Sequence, residues 1–86
     1  FSLINTGETY NNRYYTIFIQ IGLKIAYYRK LRGLTQEQLA DKIDRSPGYL
    51  SQVETPSFVQ PVSLATLFAI ADALHIAPSK FLEFDE

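Results

Sequence analysis

Apolar residues recur along this chain with a helical period. Ile21, Ile25 and Tyr28 stand at the i, i+4, i+7 spacing of a buried stripe and predict a helix from about Thr16 to Arg32, closed by Gly33 as a left-handed cap. Thr35, with Gln38 three residues later, has the capping-box spacing that starts a second, short helix on which Leu39, Ala40 and Ile43 point inward. Ser63 is placed to cap a fourth helix carrying Leu64, Leu67, Ile70, Ala71 and Leu74, and Pro78 opens a short fifth through Phe81 and Leu82. No segment alternates convincingly with period two. "YYTIFIQI" can be read as a strand or as the start of the first helix, and helix is the preferred reading.

"DRSPGYLSQVE", Asp44 to Glu54, decides how these pieces connect. Pro-Gly is a strong turn signal, yet proline is tolerated at the first position of a helix, and Ser46 just before it is a good N-cap. Pro47 therefore begins a third helix, running to about Thr55 and separated from the second only by Asp44 to Ser46. Two short helices joined this tightly, with Leu39, Ala40, Leu50 and Val53 at the junction, form a helix-turn-helix. The predicted fold is all-α: a compact five-helix bundle containing that motif, over residues 16–86. Residues 1–15 read as an N-terminal arm, either flexible or an addition to the domain. The chain does not begin with Met, so it is also read as the edge of something longer.

With 86 residues, 47% of them hydrophobic, the chain is large enough for one core. The absence of cysteine rules out a disulfide framework and a thiolate metal site, and the single histidine, His75, rules out a histidine metal cluster. No apolar run approaches a membrane span, and the opening "FSLINTGETYNN" is not a secretory signal; a cytoplasmic location is expected. His75, where the fourth helix should end, reads as a helix-end residue rather than a catalytic base. No serine has plausible histidine and acid partners and no glycine-rich phosphate loop exists, so no enzymatic activity, cofactor or small-molecule ligand is expected.

The net charge of −1 hides an asymmetry. Lys24, Arg29, Lys30, Arg32, Lys42 and Arg45 face only Glu37, Asp41 and Asp44 in the same window, which is +3; from Ser46 onward the chain is −4. Local charge, not the total, steers a polyanion, although such a cluster by itself is ordinarily a solvated helix face.

"LKIAYYRKLRGLTQEQLADKIDRSPGYLSQVE", followed by "SLATLFAIADALHIAPSKFL", resembles the lambda-repressor-like helix-turn-helix class of phage repressors, Cro proteins and small bacterial regulators (the Cro/CI, or XRE, type). The resemblance covers about Ile21 to Leu82, and its most specific parts are "LTQEQLA", "YLSQVE" and "SLATLFAIADAL". It implies a third helix lying in the major groove of double-stranded DNA. Ser46, Gly48, Ser51 and Gln52 then stand at base-reading positions, Gly48 by letting the backbone approach and Gln52 by an amide able to pair bidentately with adenine. Without the resemblance, Gln52 is as readily a solvated residue.

Gln36, at the start of the second helix, is the first expected phosphate contact, since its amide and the positive helix end can meet one phosphate. Arg45 in the turn, Lys42 and Tyr49 follow, with Lys24, Lys30 and Arg32 as further basic possibilities. Tyr49 is equally consistent with packing on the second helix. Arg29 and Glu54 are implied to be a buried structural ion pair, which removes Arg29 from the DNA-facing charge.

The chain also departs from the family pattern. "TPSFVQP", Thr55 to Pro61, carries no base where many members have Gly followed by Lys or Arg, and Asp44 stands where the turn often has glycine. The first departure removes phosphate contacts, so weak binding by each protomer and a homodimer on a two-fold operator are expected. Phe58 and Val59 read as core plugs or dimer surface. The fifth helix, with Phe81, Leu82 and Phe84, is the preferred dimer contact over the aromatic arm carrying Tyr10, Tyr14, Tyr15 and Phe18. The alternative function is a protein-interaction module, such as an antitoxin or adaptor, built on the same bundle.

Overall fold

A computed structural model describes the backbone of residues 2–84 and the side chains from Tyr14 to Phe84. Tyr10 lies outside the described side chains. The elements are α1 (Ser2–Leu31), α2 (Gln36–Lys42), α3 (Pro47–Glu54), α4 (Leu64–Leu74) and a 3-10 helix (Pro78–Leu82). "YYTIFIQI" is helical, and α1 begins at Ser2 instead of Thr16. No proline precedes Thr16, and once a helix is nucleated each added residue gains a backbone hydrogen bond.

Three helix ends use the same closing geometry. Gly33, Asp44 and His75 have φ of 75°, 59° and 56°. At each, the next amide reaches back to a carbonyl of the last turn: Leu34 N–H to Arg29 O, Arg45 N–H to Ala40 O and Ile76 N–H to Ala71 O, at 2.9–3.1 Å. This is the Schellman closure, and Asp44, standing where the turn often has glycine, adopts the left-handed conformation that aspartate tolerates better than most residues. The starts are capped as the sequence indicates. Thr35 and Gln38 form a reciprocal capping box, while Ser46 and Ser63 accept from the amides of Tyr49 and Thr66.

The expected five-helix bundle is four α-helices and a 3-10 helix. The last element is too short for an α-ladder, lacks the amide of Pro78, and holds itself with an i→i+3 bond from Lys80 N–H to Ala77 O. Its purpose is set by Phe81, which is fully buried and meets the Tyr28 ring edge-on at 5.5 Å. Burying such a side chain contributes on the order of 3 kcal/mol. Phe81 is thus core, and the preferred dimer contact is corrected accordingly: only Leu82 and the half-buried Phe84 of that set reach the surface.

Ile25, Leu39, Leu50, Ile70, Leu74 and Phe81 are the largest wholly buried residues, drawn from every element. Phe58 is 52% exposed and does not plug the core, and Val59 is half-buried. Where α1 crosses α3, the contact is backbone against backbone: a Cβ at Gly22 would overlap the carbonyl of Val53. That requirement could not be read from spacing.

Candidate nucleic-acid interface

Helix α3 is locked by one side and open on the other. Leu50, Val53 and Glu54 are buried, whereas Ser46, Pro47, Gly48, Ser51 and Gln52 are exposed. Pro47 occupies the first helical position behind the Ser46 cap, so the pair that looked like a break is the start of the helix. A Cβ at Gly48 would meet nothing nearer than Ser46 Oγ at 3.9 Å, so the fold itself does not require glycine there.

The ion pair implied by the resemblance fastens the inner side. Arg29 Nε donates to Glu54 Oε2 at 2.7 Å and Nη2 to Oε1 at 2.8 Å, a bidentate fork, while Nη1 donates to the Leu34 carbonyl at 2.7 Å. Both side chains are less than a tenth exposed. The hydrogen bond to Glu54, aided by its charge and opposed by burial, raises Arg29 further above its already high pKa. Glu54 sits in the last turn of α3, where the helix dipole disfavours an anion. The arginine fork supplies the compensation, and it ties α1 to α3.

Gln36 joins this cluster. Its Nε2 donates to Glu54 Oε1 at 2.9 Å, so the side chain is oriented, with a second amide hydrogen remaining for another acceptor. Gln36, Thr35, Glu37, Pro47, Gly48, Ser51 and Arg29 line one open groove of about 540 Å³ between the start of α2 and α3. The structure therefore brings the first phosphate candidate and two of the base-reading candidates to one surface.

The remaining cations divide. Arg45 bonds Thr66 Oγ1 through Nη2 at 2.9 Å and places its guanidinium 4.5 Å from the centre of the Tyr49 ring. Tyr49 thus packs partly on the core and partly under Arg45, and Thr66 is itself held by the Ser63 cap of α4. Lys42 is exposed but borders a different groove, with Ala69, Asp72, Ala73 and His75. Arg32 is occupied elsewhere, donating from Nε to the Leu74 carbonyl at 2.7 Å and from Nη2 to that of His75 at 3.2 Å, so it caps the end of α4. Lys24 lies 6.0 Å from the centre of the Phe84 ring. Sequence reasoning counted Arg32 as a surface base and missed its capping role, because its partners are more than forty residues away.

Among the described residues no group of His, Asp or Glu is arranged to hold a metal, and no helix is long and apolar enough to cross a membrane.

The profile of the Helix-turn-helix family matches residues 25–81. The chain is 46% identical over 59 residues to the immunity repressor protein of Bacillus phage phi105, covering 69% of this chain and 40% of the phage protein. It therefore spans well under half the length of that relative. Among solved structures, the clp gene regulator ClgR of Corynebacterium glutamicum is similar with a TM-score of 0.72 at 29% identity, over 77% of this chain and 68% of that one. The restriction-modification controller protein C.AhdI of Aeromonas hydrophila is similar with a TM-score of 0.71 at 30% identity, over 78% and 94%. With the family profile spanning most of the chain and α2–turn–α3 built as described, this protein belongs to the lambda-repressor-like helix-turn-helix family.

Proposed function

We propose that the chain is a transcriptional regulator that binds double-stranded DNA sequence-specifically, with α3 in the major groove. One observation carries this: α3 is clamped by buried Leu50, Val53 and Glu54 so that Ser46, Gly48, Ser51 and Gln52 stand outward together. An α-helix, about 10–12 Å across with its side chains, fits a groove about 12 Å wide. Gln36 beside it is pre-set by Glu54 to meet a phosphate, and Arg45 stacked on Tyr49 is a second positioning group. Lys42 and Arg32 are left out, the first by its place on another groove and the second by its carbonyl bonds. So few positioning groups per protomer favour a homodimer on half-sites about one DNA turn, roughly 34 Å, apart. The names of the phage repressor and of the two regulators point the same way.

The test is duplex binding across a salt series with a randomised pool of sites. Affinity falls as salt rises, because each neutralised phosphate releases counterions. Gln52→Ala relaxes preference at one or two base pairs, costing about 1–3 kcal/mol on the preferred site. Undetectable binding at low salt, or affinity indifferent to salt, sinks the reading and leaves protein interaction as the use of the bundle.

A further inference from the structure

Thr66 places a hydroxyl at a buried position whose shape valine would fill as well. It stands in the first turn of α4, 7% exposed, and its Oγ1 accepts from Ser63 Oγ at 3.1 Å and from Arg45 Nη2 at 2.9 Å. The branched side chain is stiff at χ1, and Ser63, which also caps the Thr66 amide, fixes it further. Arg45 leaves the turn between α2 and α3, is itself exposed, and lies between that oxygen and the Tyr49 ring, 4.5 Å from the ring centre.

The three arginines around the motif are held in different ways. Arg29 is neutralised by Glu54, and Arg32 is occupied by two carbonyls. Arg45 is held by a neutral hydroxyl and an aromatic ring, and among the described residues no carboxylate is ion-paired with it. A hydroxyl fixes a guanidinium without cancelling its charge. Thr66 takes one of the five N–H donors and leaves four. The place of this charge is also informative. On α3, Gly48, Ser51 and Gln52 stand between two flanks: Gln36 lies on the groove lined by Pro47, Gly48 and Ser51, whereas Tyr49 lies one turn before Gln52 and Val53, on the other side. Residues 46–79 contain no Lys or Arg, so the loop after α3 and α4 itself bring no such cation to that second flank. Arg45, reaching across to Thr66, brings one.

We infer that Thr66 is a positioning residue for DNA binding: it holds the Arg45 guanidinium beside Tyr49, still charged and with donors free, toward the phosphates on the α4 side of the groove, opposite the phosphate met by Gln36. The inference rests on the reading of the chain as a duplex-binding regulator with Arg45 as a phosphate contact. The test measures binding of the full chain to the duplex it selects from the randomised pool, over a salt series. Arg45→Ala should lower the slope of log affinity against log salt by about 0.9 per protomer, the value of one phosphate contact. Thr66→Val keeps the shape and removes the acceptor; it should weaken binding by about 2- to 10-fold per protomer, the cost of ordering one long side chain on binding. Its salt slope should not change, because Arg45 still reaches its phosphate. In the Arg45→Ala background Thr66→Val should have no effect, and Thr66→Ser should bind as the wild-type chain does. A purely structural Thr66 would weaken binding equally with and without Arg45, and that result overturns the inference. So does an Arg45→Ala slope equal to that of the wild type while the wild type binds. Urea unfolding of each variant confirms that folded proteins are compared, and Thr66→Ala runs the same cycle where the valine disturbs α4. Undetectable binding by the wild-type chain at low salt removes the DNA reading itself, and this inference with it.

Discussion

Removing one partner of the Arg29–Glu54 pair isolates what the buried charges contribute. Arg29→Met keeps most of the side-chain volume but deletes both bonds of the fork and the bond to the Leu34 carbonyl. Glu54 then retains only the Gln36 amide, in a site where its side chain is 5% exposed and the α3 dipole opposes it. Breaking such a pair costs about 3–5 kcal/mol, much of it the penalty of an uncompensated buried charge. A domain of this size has on the order of 4–13 kcal/mol in all, so the single variant loses a large part of its stability. The double variant Arg29→Met, Glu54→Leu removes both charges together. It leaves only the half-buried Leu34 carbonyl and Gln36 amide to find new partners, and water reaches both. It should therefore recover most of the loss. Urea unfolding followed by far-ultraviolet circular dichroism measures this, the chain having no Trp. Losses from Arg29→Met and Glu54→Leu that add in the double variant to within about 0.5 kcal/mol would refute the reasoning, since groups in one network must couple.

Three further substitutions probe other parts of the structure. Gly22→Ala drives a Cβ into the Val53 carbonyl, which no side-chain rotation relieves; a packing cost of about 1–3 kcal/mol or more should outweigh the roughly 1 kcal/mol gained in helix propensity, read as a lowered urea midpoint. Gly48→Ala has open space and should leave the midpoint unchanged or slightly raised, whereas Gly48→Leu should weaken duplex binding more than folding; a large folding defect would return the Pro-Gly pair to a purely local role. Arg32→Ala removes the bonds to the Leu74 and His75 carbonyls and should cost about 1 kcal/mol in thermal or urea unfolding without changing the sequence preference of DNA binding; a changed preference would put Arg32 at the interface.

Local chemistry was legible where it is settled within a few residues. The Thr35–Gln38 box, the Ser46 and Ser63 caps, the left-handed cap at Gly33, His75 at a helix end, and Pro47 as a beginning all depend on hydrogen bonds between near neighbours, so spacing along the chain suffices to determine them. The apolar period likewise determined the inward stripes of α2, α3 and α4, and hence which face of α3 turns outward. The Arg29–Glu54 pair was reached through the family resemblance, not through spacing.

Tertiary structure decided what depends on distant approach. Gly22 matters because α1 touches the α3 backbone, and Arg32 because α4 ends beside it. Arg45 is divided between Tyr49 and Thr66, and Gln36 is turned by Glu54. Phe81 fills the core from an element read as a dimer contact. A side chain's partner across the fold is set by where helices cross, and a one-dimensional pattern encodes which face is buried but not what it is buried against.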